Sequence, residues 1–270
     1  MTIKEALREG SIQLKDSKEA RILLSHHLQK DALALILIEH EPLENPQGYF
    51  ALINRAMNHE PIEYITNTVS FYSQTFHIQK GALIPRPETE ILIDKTLKIA
   101  KKLKKPHIAE IGVGSGIISI MIARAIKDVT IIATDISQEA LKVAKINAQA
   151  FGVADKITFI HTPYIPDVHT PYDIIVSNPP YIAKEALLEK NLSYEPDIAL
   201  FGGEVGDEVL KNIIDLTTYQ KACTLCCEMG YDQKDSLTAY LREKGFLDID
   251  FYQDWSDFDR GFSATFRSAS

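Results

Sequence analysis

The chain has 270 residues, 45% hydrophobic and 24% charged, the mix of a soluble globular protein with room for one large domain and a small one. Its 37 acidic residues outnumber its 29 basic ones, giving a net charge of −8, which argues against duplex DNA or bulk RNA as the main substrate, since such proteins carry a basic face. The richest apolar run, Ala32 to Ile38, is far too short to cross a bilayer.

Residues 1–64 read as a small helical bundle, with helices expected over Thr2–Glu9, Ser17–Gln29, Ala32–Glu39 and Pro46–Asn58. In the second of these, Ala20, Leu23, Leu24, His27 and Leu28 form a one-sided stripe, and Asp16 or Ser17 is placed to cap its start. Residues 65–84 change period. Thr68 to Tyr72 and Thr75 to Ile78 alternate like a β-hairpin, an element that can join two domains. The basic run Lys101 to Lys105 reads as the solvated end of a helix.

From residue 85 to 270 the pattern is β-α-β. Strands are expected at His107–Ile111, Thr130–Thr134, Ile157–His161, Tyr172–Ser177 and Ala222–Glu228, with helices such as Ile117–Ala125 and Gln138–Phe151 between them. This alternation predicts a doubly wound, mostly parallel sheet. Leu247–Gln253 and Phe262–Arg267 are expected to close it as an antiparallel pair. Cys223, Cys226 and Cys227 fall in one of these strands and read as small interior hydrophobes, not as a disulfide framework or a zinc site. Reduced cysteines and no signal peptide predict a cytoplasmic protein.

Two clusters carry chemistry. Glu110-Ile-Gly112-Val-Gly114-Ser-Gly116 ends the first strand of the sheet and opens a helix. Glycines there let the backbone turn tightly and approach a ligand. Asp135, nineteen residues past Gly116, closes the next strand, where a carboxylate can hold both hydroxyls of a ribose. The alternative for Asp135 is helix capping, although Ser137 is equally placed for that. The spacing is not that of a pyrophosphate binder. Glu110 would repel a phosphate and attract an ammonium, which favours S-adenosylmethionine over a dinucleotide.

The second cluster, Asn178-Pro179-Pro180-Tyr181, follows the buried-looking strand Tyr172–Ser177. Two prolines stiffen the turn, leaving the carbonyls of Asn178 and Pro179 as acceptors. Asn178 adds an amide and Tyr181 a flat face. Such a turn can grip a planar –NH2 group, and it sits across the same crevice as the expected methyl donor.

With these motifs the chain resembles the HemK/PrmC glutamine methyltransferases. The similarity runs over nearly its whole length. It includes Ile84-Pro-Arg-Pro-Glu-Thr-Glu90, the glycine loop, Asp135-Ile-Ser-Gln-Glu-Ala-Leu141 with Asn147, Tyr172 through Ile182, Tyr194-Glu-Pro-Asp-Ile-Ala-Leu-Phe-Gly-Gly203 and Gly230-Tyr-Asp-Gln233. The resemblance implies a class I methyltransferase fold, Rossmann-like with a seven-stranded sheet, preceded by the helical domain as reader of the protein substrate and joined to it by the hairpin.

It further implies that the chain methylates the side-chain amide nitrogen of the glutamine in the Gly-Gly-Gln motif of peptide chain release factors, leaving S-adenosylhomocysteine. By matched motif, Glu110 and Gly112, with Gly114 and Gly116, would cradle the methionine part of the donor. Asp135 would hold its ribose. Asn178 and Pro179 would take the glutamine amide, and Pro180 and Tyr181 would complete its binding site. Arg86, Glu88 and Glu195 would order the surrounding loop. Three positions depart from the family pattern. Glu110 stands where Asp is usual and Val113 where Thr is usual, and Pro163-Tyr164 replaces an acid followed by an aromatic, so that Tyr164 is the expected adenine neighbour. The competing readings are the same chemistry on a ribosomal protein glutamine, methylation of an amino group on a nucleic-acid base, and a docking protein without catalysis. A monomer is expected, with no metal, no membrane and no direct nucleic-acid substrate.

Overall fold

Polar side chains set where the first helices begin. In the computed structural model, which describes residues 1–166, 171–219 and 222–267, Thr2 and Glu5 form a reciprocal capping box that opens α1 (Ile3–Leu14). Asp16 accepts from the Lys18 and Glu19 amides and starts α2 (Ser17–Leu28). Asp31 caps α3 (Ala32–Leu37), and Asn45 with Pro46 at the first turn opens α4 (Pro46–Met57). Each such cap is worth about 1 kcal/mol. A short α5 (Ile62–Thr66) completes the group. Helix α1 runs past its expected end at Glu9 to Leu14, and the glycine inside it, Gly10, sits where a Cβ would meet the Tyr49 hydroxyl of α4. Leu23, Leu24, Tyr49 and Ile53 are fully buried at the centre of these helices.

The chain divides into two compact units. The first is Met1–Thr68 together with Leu188–Tyr194, and the second is Val69–Leu187 with Glu195–Ser270. The division at Thr68 falls at the start of the expected hairpin, whose strands are β1 (Thr68–Phe71) and β2 (Gln74–His77).

The second unit continues with α6 (Thr89–Ala100), β3 (His107–Ile111), α7 (Ile117–Ala125), β4 (Thr130–Asp135), α8 (Gln138–Ala150), β5 (Ile157–His161) and β6 (Ile174–Ser177). It then forms a short parallel pair, β7 (Ile182–Ala183) and β8 (Phe201–Gly203), with α9 (Asp197–Leu200) between them. The rest is α10 (Glu208–Thr217), β9 (Ala222–Glu228), α11 (Lys234–Glu243), β10 (Leu247–Gln253) and β11 (Asp259–Arg267). The sheet has seven strands in the order β10-β11-β9-β6-β3-β4-β5. Pairing is parallel from β9 to β5, and β11 and β10 run antiparallel at one edge. The order reverses between β3 and β6, so the crevice lies at the carboxyl ends of those two strands.

The helix–sheet packing explains the strand sequences. All four residues of β6 are buried, as are Ile108 to Ile111 of β3, the continuous apolar pattern of strands covered on both faces. Cys223, Cys226 and Cys227 are free and buried within β9, and burial pushes the Cys226 thiol up to about 12. They pack as hydrophobes, as the sequence implied.

One buried amide ties the hairpin to the sheet. Asn147 of α8 donates to the carbonyls of His77 and Ser115 and accepts from the His77 amide, all at 2.8–2.9 Å. Ser115 belongs to the glycine loop, so this amide also fixes the floor of the crevice. An Asn147→Ala substitution strands three backbone groups, each costing about 1 kcal/mol or more when left unpaired. We expect a loss of about 2–4 kcal/mol in urea unfolding, with an unchanged denaturant slope.

Candidate active site

A cavity of about 250 Å³ opens at the carboxyl ends of β3, β4 and β6. Its walls include Thr89, Glu110, Gly112 to Ser115, Asp135 to Ser137, Pro163, Tyr164 and Asn178 to Pro180. The glycine loop crosses its floor. Gly112, Gly114 and Gly116 have φ of +74°, +53° and +87°, the left-handed region that side chains disfavour. The Gly112 and Val113 amides both donate to the Thr134 carbonyl, Gly114 N donates to Asp135 Oδ2, and Gly116 N donates to the Val113 carbonyl. Those donors are already engaged, so the loop is poorly suited to cradle a phosphate. It offers acceptors and carboxylates, which suits a cation.

Glu110 is fully buried at the end of β3. Its Oε2 accepts from both the amide and the hydroxyl of Ser119, while Oε1 is buried with no hydrogen-bond partner. Burial pushes the carboxyl up to about 8, against the lowering effect of Ser119 and with a small push from Asp135. An acceptor of this kind, orphaned in a cavity wall, fits an arriving ammonium.

Asp135 ends β4 and is almost wholly buried. Its Oδ1 accepts from Ser137 N at 2.8 Å and its Oδ2 from Gly114 N at 2.9 Å. Burial raises its carboxyl above the usual range, and these backbone donors hold it partly back. Ser137 caps α8 by accepting from Ala140 N, so helix capping falls to Ser137 and not to Asp135. The second lone pairs of the Asp135 oxygens remain available to a diol. Tyr164 stands in the wall with its hydroxyl accepting from Asn212 of α10, beside apolar Ile136 and Ile213. This end of the cavity suits a flat heterocycle.

The turn after β6 is held from several sides. Asn178 Nδ2 donates to Thr89 Oγ1 at 3.1 Å. Gln233 Nε2 donates to the Tyr181 carbonyl at 3.0 Å. A Cβ on Gly202 would collide with the Pro180 and Gly206 carbonyls, which accounts for a glycine there. The loop before α6 is pinned by Glu195, which pairs with Arg86 through Oε1 and accepts from Ile84 N at 2.9 Å through Oε2.

The structure therefore brings Glu110, Gly112, Gly114, Asp135, Tyr164, Asn178, Pro179 and Pro180 to one cavity. It does not place Gly116 or Tyr181 in the cavity wall. Gly116 lies against Ile120 and Ala144, where its lack of a side chain lets α7 and α8 approach. Tyr181 turns its ring into the apolar core, and its hydroxyl donates to Glu228 Oε1 at 3.1 Å. Sequence reasoning missed Ser119, Thr89 and Glu228. Ser119 carried a signal, since it lies nine residues after Glu110, in the first turn of the helix that follows the glycine loop. Thr89 and Glu228 meet only through the fold, from positions 139 residues apart.

A seven-stranded sheet of this order, with a glycine cradle and two acids at its switch point, defines a class I methyltransferase fold. The family model described as "Methyltransferase small domain" matches residues 88–193, and the one described as "PrmC N-terminal domain" matches residues 5–66. The release factor glutamine methyltransferase of Clostridium acetobutylicum is 34% identical, with 96% of this chain and 97% of that protein covered. The protein of that name from Buchnera aphidicola subsp. Baizongia pistaciae is also 34% identical, over 96% of this chain and 98% of its own. A crystal structure of a methyltransferase from Pyrococcus furiosus shares the fold at 14% identity, with a TM-score of 0.52, over 73% of this chain and 91% of that one. The chain belongs to the release factor glutamine methyltransferase family.

The raised acid at Glu110 has a consequence for stability. Its folded pKa lies above its ordinary value of 4.5, so its contribution is fully present below that value and is lost as pH rises through about 8. A Glu110→Gln variant of the ligand-free protein carries no such loss. Its melting temperature relative to the unsubstituted protein is expected to rise between pH 5.5 and pH 8.5, as read by thermal melts across that range. A constant difference would count against the buried acid.

Proposed function

We propose that this chain transfers a methyl group from S-adenosylmethionine to the side-chain amide nitrogen of the Gly-Gly-Gln glutamine in peptide chain release factors. The observation that carries this reading is the single cavity holding both the orphaned Glu110 Oε1 above its glycine cradle and the Asn178-Pro179-Pro180 turn. One end suits an aminoacyl cation and the other suits an –NH2 group. When bound, the donor supplies an electrophilic methyl on a sulfonium, a good leaving group. Glu110 receives the ammonium, Asp135 the ribose hydroxyls, and Tyr164 with Ile136 the adenine face.

An amide nitrogen is a weak nucleophile because its lone pair is delocalised. Asn178 Oδ1 and the Pro179 carbonyl hold its two hydrogens and aim the nitrogen along the line to the methyl carbon. Alignment of this kind contributes up to about 7–11 kcal/mol where the bound geometry is near attack. As the nitrogen becomes positive, the two acceptors gain strength. The proton then leaves to solvent or through these acceptors. The apolar wall keeps competing water from the methyl carbon.

The first unit reads the protein substrate in this proposal. Its α3 exposes Leu33, Ile36 and Leu37, at 71%, 60% and 82%, an apolar surface that a folded partner could cover. The acidic balance of the chain supports a protein over a nucleic acid as substrate. The enzyme acts as a cytoplasmic monomer, with the three thiols reduced.

Labelled methyl from S-adenosylmethionine should appear on purified release factor and vanish when its Gly-Gly-Gln glutamine is replaced. Label on a ribosomal protein or on RNA instead would move the substrate while keeping the chemistry. Asn178→Ala should lower kcat at least a hundredfold with donor affinity within about threefold, measured by calorimetry. Full turnover in that variant sinks the assignment. Joint Leu33→Ser and Leu37→Ser substitutions should raise KM for the release factor about tenfold or more and leave donor binding and melting temperature unchanged.

A further inference from the structure

A chain of hydrogen bonds leads from Asn178 back through the cavity wall to Glu228, and the reaction described above gives no role to its members Thr89 and Glu228. Glu228 ends β9 and is 1% exposed; it is not part of the cavity wall. Its Oε2 accepts from the Thr89 hydroxyl at 2.8 Å, and its Oε1 accepts from the Tyr181 hydroxyl at 3.1 Å. Thr89 is equally buried at the start of α6, and its Oγ1 in turn accepts from Asn178 Nδ2 at 3.1 Å. The chain therefore runs from a carboxylate, through one hydroxyl, to the amide that faces the cavity.

Proton counting gives this chain a direction. Above about pH 7, to which burial has raised its carboxyl, Glu228 is ionised and only accepts. Thr89 has one hydroxyl proton, and the carboxylate takes it. What Thr89 presents to Asn178 is then a lone pair. The end of the Asn178 amide beside Thr89 must be its –NH2 group, and its oxygen must face the other way. The two flip states of an asparagine are close in shape and opposite in function here. One offers the cavity an acceptor. The other offers it a donor, which would oppose the hydrogens of an incoming –NH2.

We infer that Glu228, acting through Thr89, is a positioning residue that locks the flip state of Asn178 so that its oxygen alone faces the cavity, and that it anchors Tyr181 at the other end of the same turn. The inference rests on the function proposed above for its catalytic meaning. It is independent of that function for the orientation itself. It also makes the site selective for groups that donate two hydrogens, since a carbonyl or ether presented there meets only acceptors. The position of Tyr181 follows from the same carboxylate: its ring supports the turn from the core and its hydroxyl completes the Glu228 shell.

The test uses the full chain and two readouts. The side-chain amide resonances of Asn178, assigned by their absence in Asn178→Ala, report the orientation. Steady-state methylation of release factor reports its use. Thr89→Val, which removes the hydroxyl at constant shape, should speed hydrogen exchange of the Asn178 amide at least tenfold. It should lower kcat at least tenfold with donor affinity within twofold. Thr89→Ser, which keeps the hydroxyl and loses a methyl, should restore both. Glu228→Met should behave like Thr89→Val, and Glu228→Gln, which retains one acceptor oxygen, should fall between Met and the unsubstituted chain. Unchanged exchange and kcat in Thr89→Val, or a Thr89→Ser variant as impaired as Thr89→Val, overturns the inference. If Glu228→Met does not fold, the Thr89 pair decides alone. If the unsubstituted chain labels no release factor and yet Thr89→Val alone exposes the Asn178 amide, the positioning stands and the substrate reading falls.

Discussion

The simultaneous parallel pairing of β3 with β4 on one side and β6 on the other is the constraint from which the site follows. Ile111 lies opposite Thr134 and Ser177 at once. The residues that come next on each strand, Gly112, Asp135 and Asn178, are thereby delivered to a common rim. A shift of one residue in either register would turn Glu110 or Ser177 to the opposite face. The hydroxyls of Thr134 and Ser177 reinforce the register by donating to the Glu110 and Ile111 carbonyls at 3.3 and 2.7 Å. Continuous apolar strands alone specify register weakly. These two hydroxyls supply what the apolar residues do not.

The same rim concentrates cost. Glu110 and Glu228 are both fully buried carboxyls, raised to about 8 and about 7 by desolvation. Each has partial compensation, from Ser119 in one case and from Thr89 and Tyr181 in the other. A core built for stability would carry apolar residues in both places. Their presence near the carboxyl ends of the strands on either side of β6 marks a region shaped for a ligand, and the surrounding apolar sheet and helices offset the cost.

Much of this was legible in the residues. Strands His107–Ile111 and Ala222–Glu228 stand where their apolar runs put them, because buried strands leave an uninterrupted hydrophobic signature, and the partly exposed edge strands Ile157–His161 and Leu247–Gln253 also fall at their expected bounds. The glycine loop, Asp135 and Asn178 to Pro180 were readable because strained or stiffened backbone requires particular residue types. The rest depended on distance in the chain. The β7–β8 pair is two to three residues per strand and has no periodicity to detect. Tyr181 reads in the sequence as a flat face for the substrate, and only the position of Glu228, supplied by a strand 47 residues later, turns it inward. Helix α1 outlasted its expected end, and the glycine inside it, Gly10, is placed by what it touches on α4, a matter of packing and not of local propensity.

The seven residues Leu188–Tyr194 have a different kind of consequence. They belong to the first unit although they are encoded in the middle of the second, with Tyr194 donating its hydroxyl to the Asn58 carbonyl. The helical unit is thus discontinuous in the gene. It cannot be exchanged as a leading cassette, because a transplanted set of helices would arrive without Leu188–Tyr194, and the recipient would keep a strip of chain shaped for helices it no longer has. Recombination that swaps the helical unit among such proteins would need matched breakpoints at both places, which ties the inheritance of that unit to that of the sheet.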